Sequence, residues 1–214
     1  MFVQNSNLKN QKISDIVGND YRYAKALDSF GVDFYKYSDY QIEDICKIKG
    51  FKKESLIGYR ISLDESFDLE HDSLKSCPLN LVVEYLKHNH NYFIKNKLPY
   101  IKNLIQNLDT SNINYKFSDD LKFIFPSFYE EFTEHILEEE TIIFQYINKL
   151  FYADHNSQNL SLLFFSMKEI SLKNIAEEHL NEDSEMSGIR GLTKNYSLNN
   201  IKNLHLKVIF QELK

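Results

Sequence analysis

A histidine and a glutamate interrupt the most regular apolar stripe of the sequence, between residues 119 and 153. The stripe repeats every three or four residues, so its members share one face of a predicted helix. It consists of Phe125, Phe128, Phe132, His135, Glu139, Ile142 and Tyr146. His135 and Glu139 are therefore expected one turn apart at core positions, where a carboxylate needs a paired group or a metal ion.

Two more histidines lie on the apolar stripes of other predicted helices. His179 belongs to a stripe within residues 172–189, and His90 to a stripe within residues 79–93, with Asn91 at its edge. Imidazole and carboxylate groups that converge from facing helices hold iron or manganese in helical bundles. The spacing therefore suggests a metal site built from His135, Glu139 and His179.

The same residues also fit an interpretation without a metal. A histidine on an apolar face is commonly a core residue that is satisfied by hydrogen bonds. Glu138 and Glu140, on either side of Glu139, are predicted to belong to a solvated face. The remaining histidines are predicted to be surface or linker residues, namely His71, His88, His155 and His205.

The elements that must position these residues are predicted to be helices, because the chain has only 6 Gly and 3 Pro. Residues 1–60 form a small N-terminal helical domain, in which Gly31 and Gly50 end helices. Residues 61–77 are an acidic linker. Residues 78–214 are a four-helix bundle, with long helices at 78–108, 119–153 and 160–192 and a short fourth helix at 199–214. Pro99 should kink the first of them. The predicted fold class is all-α.

Composition excludes several classes of function. The formal net charge of −6 argues against a general nucleic-acid partner, and no stretch approaches the roughly 20 apolar residues of a membrane span. The first residues lack a signal-peptide pattern, and two cysteines rule out a disulfide scaffold or a Cys-rich zinc site. A cytoplasmic protein is expected. The motifs of nucleotide binding and of serine hydrolases are absent.

Three segments of the predicted bundle carry a resemblance to a known family. They are P-L-N-L-V-V-E-Y-L-K-H-N-H-N with the later L-P, H-I-L-E-E-E-T-I-I-F at residues 135–144, and E-H at 178–179 followed by T-K-N-Y at 193–196. In this order and at this spacing they resemble the hemerythrin-like proteins of the repair-of-iron-centres type. Residues 24–52 are similar to the first domain of that family.

The resemblance implies a non-haem di-iron centre in a hemerythrin-type bundle, bridged by carboxylates. The positions that match the family's ligands are His135, Glu139 and His179. The implied function is the repair of iron–sulfur clusters damaged by nitric oxide or oxidants, by iron donation or by nitric oxide chemistry. The implied partners are damaged iron–sulfur proteins. An iron-binding or repair protein is favoured over an enzyme.

Several positions depart from the family pattern. The first-helix ligand position falls on Asn91, and His90 would take its place only if the helix were locally over- or underwound, for example by a π-bulge. Tyr35 and Lys36 replace the paired cysteines of the first domain. The chain ends at Lys214, before the His-x-x-x-Glu ligands of the family's fourth helix. These departures leave three alternatives: a full di-iron site, a mononuclear site with two histidines and one carboxylate, or a metal-free interaction or regulatory protein.

The short predicted fourth helix has a consequence of its own. It would leave apolar residues of the first and second helices uncovered, and uncovered apolar faces are typical of protein interfaces. A homodimer or another protein partner is therefore expected at the open end of the bundle.

Overall fold

The computed structural model describes residues 8, 10–63, 74–109, 117–155, 184–197 and 201–214. Every regular element within these ranges is helical, and their one extended pairing is an isolated antiparallel bridge between Lys12 and Gln41. The all-α prediction is confirmed. The chain divides into two compact units, one made of Met1–Asp68 with Leu198–Lys214 and the other of Leu69–Ser197.

Among its described residues, the first unit contains five short helices. They are α1 (Ile13–Asn19), α2 (Arg22–Ser29), α3 (Ile42–Lys49), α4 (Lys53–Ser62) and α10 (Leu204–Leu213). Gly50 ends α3 with a φ of +74°, which only glycine adopts freely, and its N–H donates to the carbonyl of Cys46 over 2.9 Å. Gly31 follows α2 with a φ of +69°. Both glycines therefore end helices as the sequence predicts.

The position of α10 corrects the prediction of a short fourth bundle helix. This helix belongs to the first unit, where it packs against α1, and the ring of His205 stacks on Tyr35 with centroids 4.1 Å apart. Its buried side chains lie on more than one face: His205, Leu206, Val208, Ile209, Phe210, Glu212 and Leu213. Such a helix must be enclosed, but its pattern does not say by which neighbours. The partner expected at an open end of the bundle stays a prediction.

The described residues of the second unit include one long helical segment at residues 79–106. It consists of α5 (Leu79–Tyr92), a first π turn (Phe93–Lys97) and α6 (Leu98–Gln106). Pro99 lacks an N–H and its ring crowds the preceding turn, which disfavours a regular α-helix before it. A π turn directly precedes Pro99, where the N–H of Leu98 donates to the carbonyl of Phe93, five residues back. The helix is therefore locally widened at the place where the sequence predicts a disturbance.

A second long segment follows, and α9 completes the described part of this unit. The segment consists of α7 (Phe117–Glu138), a second π turn (Glu139–Ile143) and α8 (Phe144–His155). Asp119 and Asp120 in the first turn of α7 suit the positive end of the helix dipole. Helix α9 (Ser184–Leu192) is the described end of the predicted third helix.

The two long segments pack side by side in opposite directions. Helix α6 packs on α7, α5 packs on α8, and α9 packs on α7. Lys122 donates to the carbonyl of Leu108 over 2.6 Å near the connection, and farther along the rings of Phe93 and Phe132 lie 6.3 Å apart. This pairing places the end of α5 opposite the second π turn. Among the helices of the described ranges, none is long and apolar enough to cross a membrane.

Candidate functional site

Three of the four predicted site residues come together between the two long segments. His90 lies near the end of α5, His135 lies in the last turn of α7, and Glu139 opens the second π turn. The fourth, His179, lies outside the described residues.

The carboxylate of Glu139 lies between the two histidines. Its Oε2 is 3.3 Å from Nε2 of His90, and its Oε1 is 3.4 Å from Nε2 of His135. His135 and Glu139 are one turn apart on the same segment, whereas His90 comes from the opposite one. The predicted stripe therefore contains a carboxylate that is shared between two histidines, with one histidine facing each oxygen.

His90 rather than Asn91 contacts Glu139. The family pattern, counted from Pro78 and from Pro99, places the first-helix ligand at Asn91, whose side chain is exposed. The half-buried His90 takes the inward position instead, and the first π turn begins three residues after it, which is local underwinding of the expected kind.

Two residues beyond the predicted set also contact His90. Oε1 of Glu140 lies 3.1 Å from Nδ1 of His90, and the ring of Phe144 stacks on the imidazole with centroids 5.4 Å apart and planes 12° apart. The prediction that Glu140 belongs to a solvated face is therefore wrong, although Glu138 is exposed as predicted. Glu140 and Phe144 are the later positions of the H-x-x-x-E-E-x-x-x-F pattern, which is the sequence signal that marks them.

Electrostatics at this site favour a charged His90. The hydrogen bond with Glu139 raises the pKa of His90, burial opposes it, and the hydrogen bond with Glu140 raises it further, so that the net pKa lies above its ordinary value of 6.5. The His90 side chain is only 14% exposed. An imidazolium between two carboxylates is thus a stable state, and a metal ion at Nε2 would have to displace its proton.

The donor set suits iron chemically, but it does not surround a single point. Two ligand atoms each about 2.1 Å from one metal ion, and about 90–110° apart, lie about 3.0–3.4 Å from each other. Both His–Glu139 separations fall within that range. However, they involve different oxygens of Glu139, and in the described part of the chain no group of three His, Cys, Asp or Glu side chains is arranged to hold a metal ion. Each carboxylate oxygen of Glu139 therefore faces one histidine, from a different helical segment in each case.

No protein-family model matches this chain, and no curated protein is significantly similar to it.

Proposed function

We propose that this chain is a hemerythrin-like non-haem iron protein of the iron–sulfur cluster repair type, acting in the response to nitric oxide and oxidative stress. The observation that supports it best is the Glu139 carboxylate, shared between histidines from two antiparallel helical segments beside two π turns. π turns within α-helices occur frequently at functional sites. The iron and the repair role are inferred from the resemblance of residues 78–91 and 135–144 to that family.

In this proposal His90 and His135 would supply neutral nitrogen ligands, and Glu139 would supply oxygen ligands. His179 is a further proposed ligand. A metal held there with open positions would supply a site for oxygen, nitric oxide or peroxide, or a source of iron for damaged iron–sulfur proteins. The residues of this chain orient the ligands, and the half-buried setting of His90 and Glu139 limits the access of water. The protein is proposed to be cytoplasmic and to act by iron binding or donation.

A metal-free interaction or regulatory protein is the second candidate. It is favoured by the contacts of His90, because each of its two ring nitrogens already lies beside a carboxylate oxygen. A buried polar cluster that is satisfied in this way stabilises a scaffold without any ion. A partner would bind the second unit, where several apolar side chains are exposed: Leu81, Phe123, Leu137 and Ile142. Sedimentation and hydrophobic dye binding test this, since a monomer that binds no dye would count against a partner surface.

The iron proposal is tested by adding Fe²⁺ anaerobically to the wild type, His90→Ala and Asn91→Ala. The wild type and Asn91→Ala should retain iron after desalting, whereas His90→Ala should lose most of it. Asn91→Ala is the matched control, because this exposed neighbour occupies the ligand position by alignment but not in the structure. Loss of iron in Asn91→Ala alone would refute the assignment of His90, and a wild type without iron would favour the metal-free candidate.

A further inference from the structure

The connection between α3 and α4 concentrates positive charge at the surface of the first unit. Its seven residues, 47–53, have the sequence K-I-K-G-F-K-K and form a basic tip with four lysines and no acidic residue. The side chains of Lys47, Lys49 and Lys52 are exposed. In the described part of the chain, no carboxylate lies within ion-pair distance of these three ammonium groups.

Buried residues on both sides anchor the basic tip. Ile45 of α3 and Leu56 of α4 are fully buried. Between them Gly50 reverses the chain with a φ of +74°, and the N–H groups of Gly50 and Phe51 both donate to the carbonyl of Cys46, over 2.9 and 3.1 Å. The lysines therefore project from an ordered turn, which reduces the entropy that binding would cost.

The acidic residues around the basic tip do not neutralise it. Glu43 contacts Lys53 at 3.6 Å, and its other oxygen accepts from the backbone N–H of Asn10 over 3.2 Å. Asp44 and Glu54 flank the basic tip and are exposed. Lysines and arginines outnumber acidic residues in the described ranges of the first unit, although the whole chain has a formal net charge of −6. The basic tip is therefore a positive surface on an acidic protein.

An apolar side chain lies within this positive surface. Ile48 stands between Lys47 and Lys49 in the last turn of α3, and its side chain is 61% exposed. The ammonium group of Lys49 lies 5.5 Å from the centroid of the Tyr37 ring, which holds that lysine beside an aromatic face. An apolar contact surrounded by charged groups is typical of protein interfaces, which have an apolar centre and a polar rim.

We propose that the basic tip is a docking surface for an acidic segment of a partner protein, whose carboxylates pair with the lysines and whose apolar side chain packs on Ile48. Charge complementarity favours an anionic partner. Ile48 favours a protein segment, because a phosphate backbone offers no apolar side chain, and the net charge of −6 opposes the approach of a long nucleic acid. This surface does not depend on iron, since all of it lies in the first unit.

The test measures binding of a fluorescein-labelled acidic peptide, made of Glu and Asp around a central Leu, to the full-length protein by fluorescence anisotropy. The salt concentration is about 0.15 M, where exposed charges more than about 8 Å apart are largely screened. The tip variant combines Lys47→Glu with Lys52→Glu. The control combines Lys202→Glu with Lys214→Glu, which makes the same change in net charge at two exposed lysines outside the basic tip. Far-UV circular dichroism checks that each variant folds.

The wild type and the control should bind the peptide with affinities that agree within about twofold, whereas the tip variant should bind at least about tenfold more weakly. Ile48→Ser should weaken binding of this peptide by about threefold or more, but should change binding of a matched peptide with Ser in place of Leu by less than about twofold. The second comparison separates the apolar contact from the charge.

Three results would overturn the proposal. They are a wild type that does not bind the acidic peptide, equal losses in the tip variant and the control, and an Ile48→Ser variant that weakens binding of both peptides alike. An oligothymidylate that binds more tightly than the peptide, and that is released by the tip variant, would also overturn it by assigning the surface to nucleic acid.

Discussion

Asp20 joins three parts of the first unit, and its replacement by asparagine should destabilise that unit. It lies between α1 and α2, where its Oδ1 accepts from the backbone N–H of Arg22 and, over 2.7 Å, from the Nε of that guanidinium. Its Oδ2 accepts from Arg60 of α4 over 2.5 Å. The side chains of Asp20 and Arg60 are 18% and 9% exposed, so water replaces little of this interaction.

The expected loss follows from these contacts. Hydrogen bonds to charged groups contribute about 1.5–3 kcal/mol, and breaking a buried ion pair costs about 3–5 kcal/mol. Asparagine keeps an acceptor oxygen, and Asp20 is not fully buried. We therefore expect Asp20→Asn to lower the free energy of unfolding by about 2–3 kcal/mol. Asp39→Asn is the control, because its ion pair with Lys12 lies at the surface and should contribute less than about 1 kcal/mol.

The loss should also depend on pH. Burial raises the pKa of Asp20, but the hydrogen bonds from Arg22 and Arg60 lower it more, and the net pKa lies below the ordinary value of 3.8. Since the folded-state pKa is depressed, the stabilisation is complete above the unfolded-state pKa and disappears as pH falls through the folded one. The difference between wild type and Asp20→Asn should therefore be full at pH 7 and shrink below about pH 4.

The assay is urea denaturation followed by circular dichroism, with hydrogen exchange of peptides from residues 10–63 to assign the change to the first unit. Increased exchange in these peptides, with residues 74–109 unchanged, is the expected result. A loss for Asp20→Asn no larger than the loss for Asp39→Asn at pH 7 would refute the reasoning, because a surface pair contributes less than about 1 kcal/mol.

Two further predictions use matched substitutions within one unit. Gly50→Ala should destabilise the first unit by about 1 kcal/mol, since the φ of +74° at Gly50 strains any residue with a Cβ. Gly58→Ala, in open space on α4, should stabilise the same unit by about 0.5–1 kcal/mol. Thermal melts check both, and equal effects would contradict the helix-end role of Gly50. On α7, Phe125→Ala should cost about 3–4 kcal/mol because the ring is fully buried, whereas Phe123→Ala, 84% exposed, should change stability by less than about 0.5 kcal/mol. Urea denaturation measures both, and comparable losses would show that the register of α7 is wrong.

Some of the site could be predicted from sequence because it depends on local periodicity. His135 and Glu139 are four residues apart on a helical segment, so their shared face follows from the α-helical repeat alone. The contact of His90 with Glu139 could not be predicted in this way, because the two residues lie on different segments about 50 residues apart in sequence. The contact of Glu140 with His90 has the same long-range origin, which helical periodicity does not indicate.

The arrangement of α10 shows a different limit of the sequence. The apolar pattern of residues 204–213 correctly indicates a buried helix, and its length fits the short helix that was expected. Which surface encloses it depends on the shape of α1 and on the rings of Phe34 and Tyr35, more than 160 residues away in sequence. Helical periodicity does not indicate which distant residues enclose a helix. The prediction therefore assigned to the bundle a helix that belongs to the first unit.

The central claim is that this chain binds iron through the histidines and the shared carboxylate. The most direct test is the iron content of anaerobically purified protein, compared with a variant in which His135 and His179 are both alanine. The proposal predicts about one or two irons per chain in the wild type, as mononuclear or bridged sites require, and little in the variant. Iron absent from the wild type, or retained equally by the variant, would contradict it.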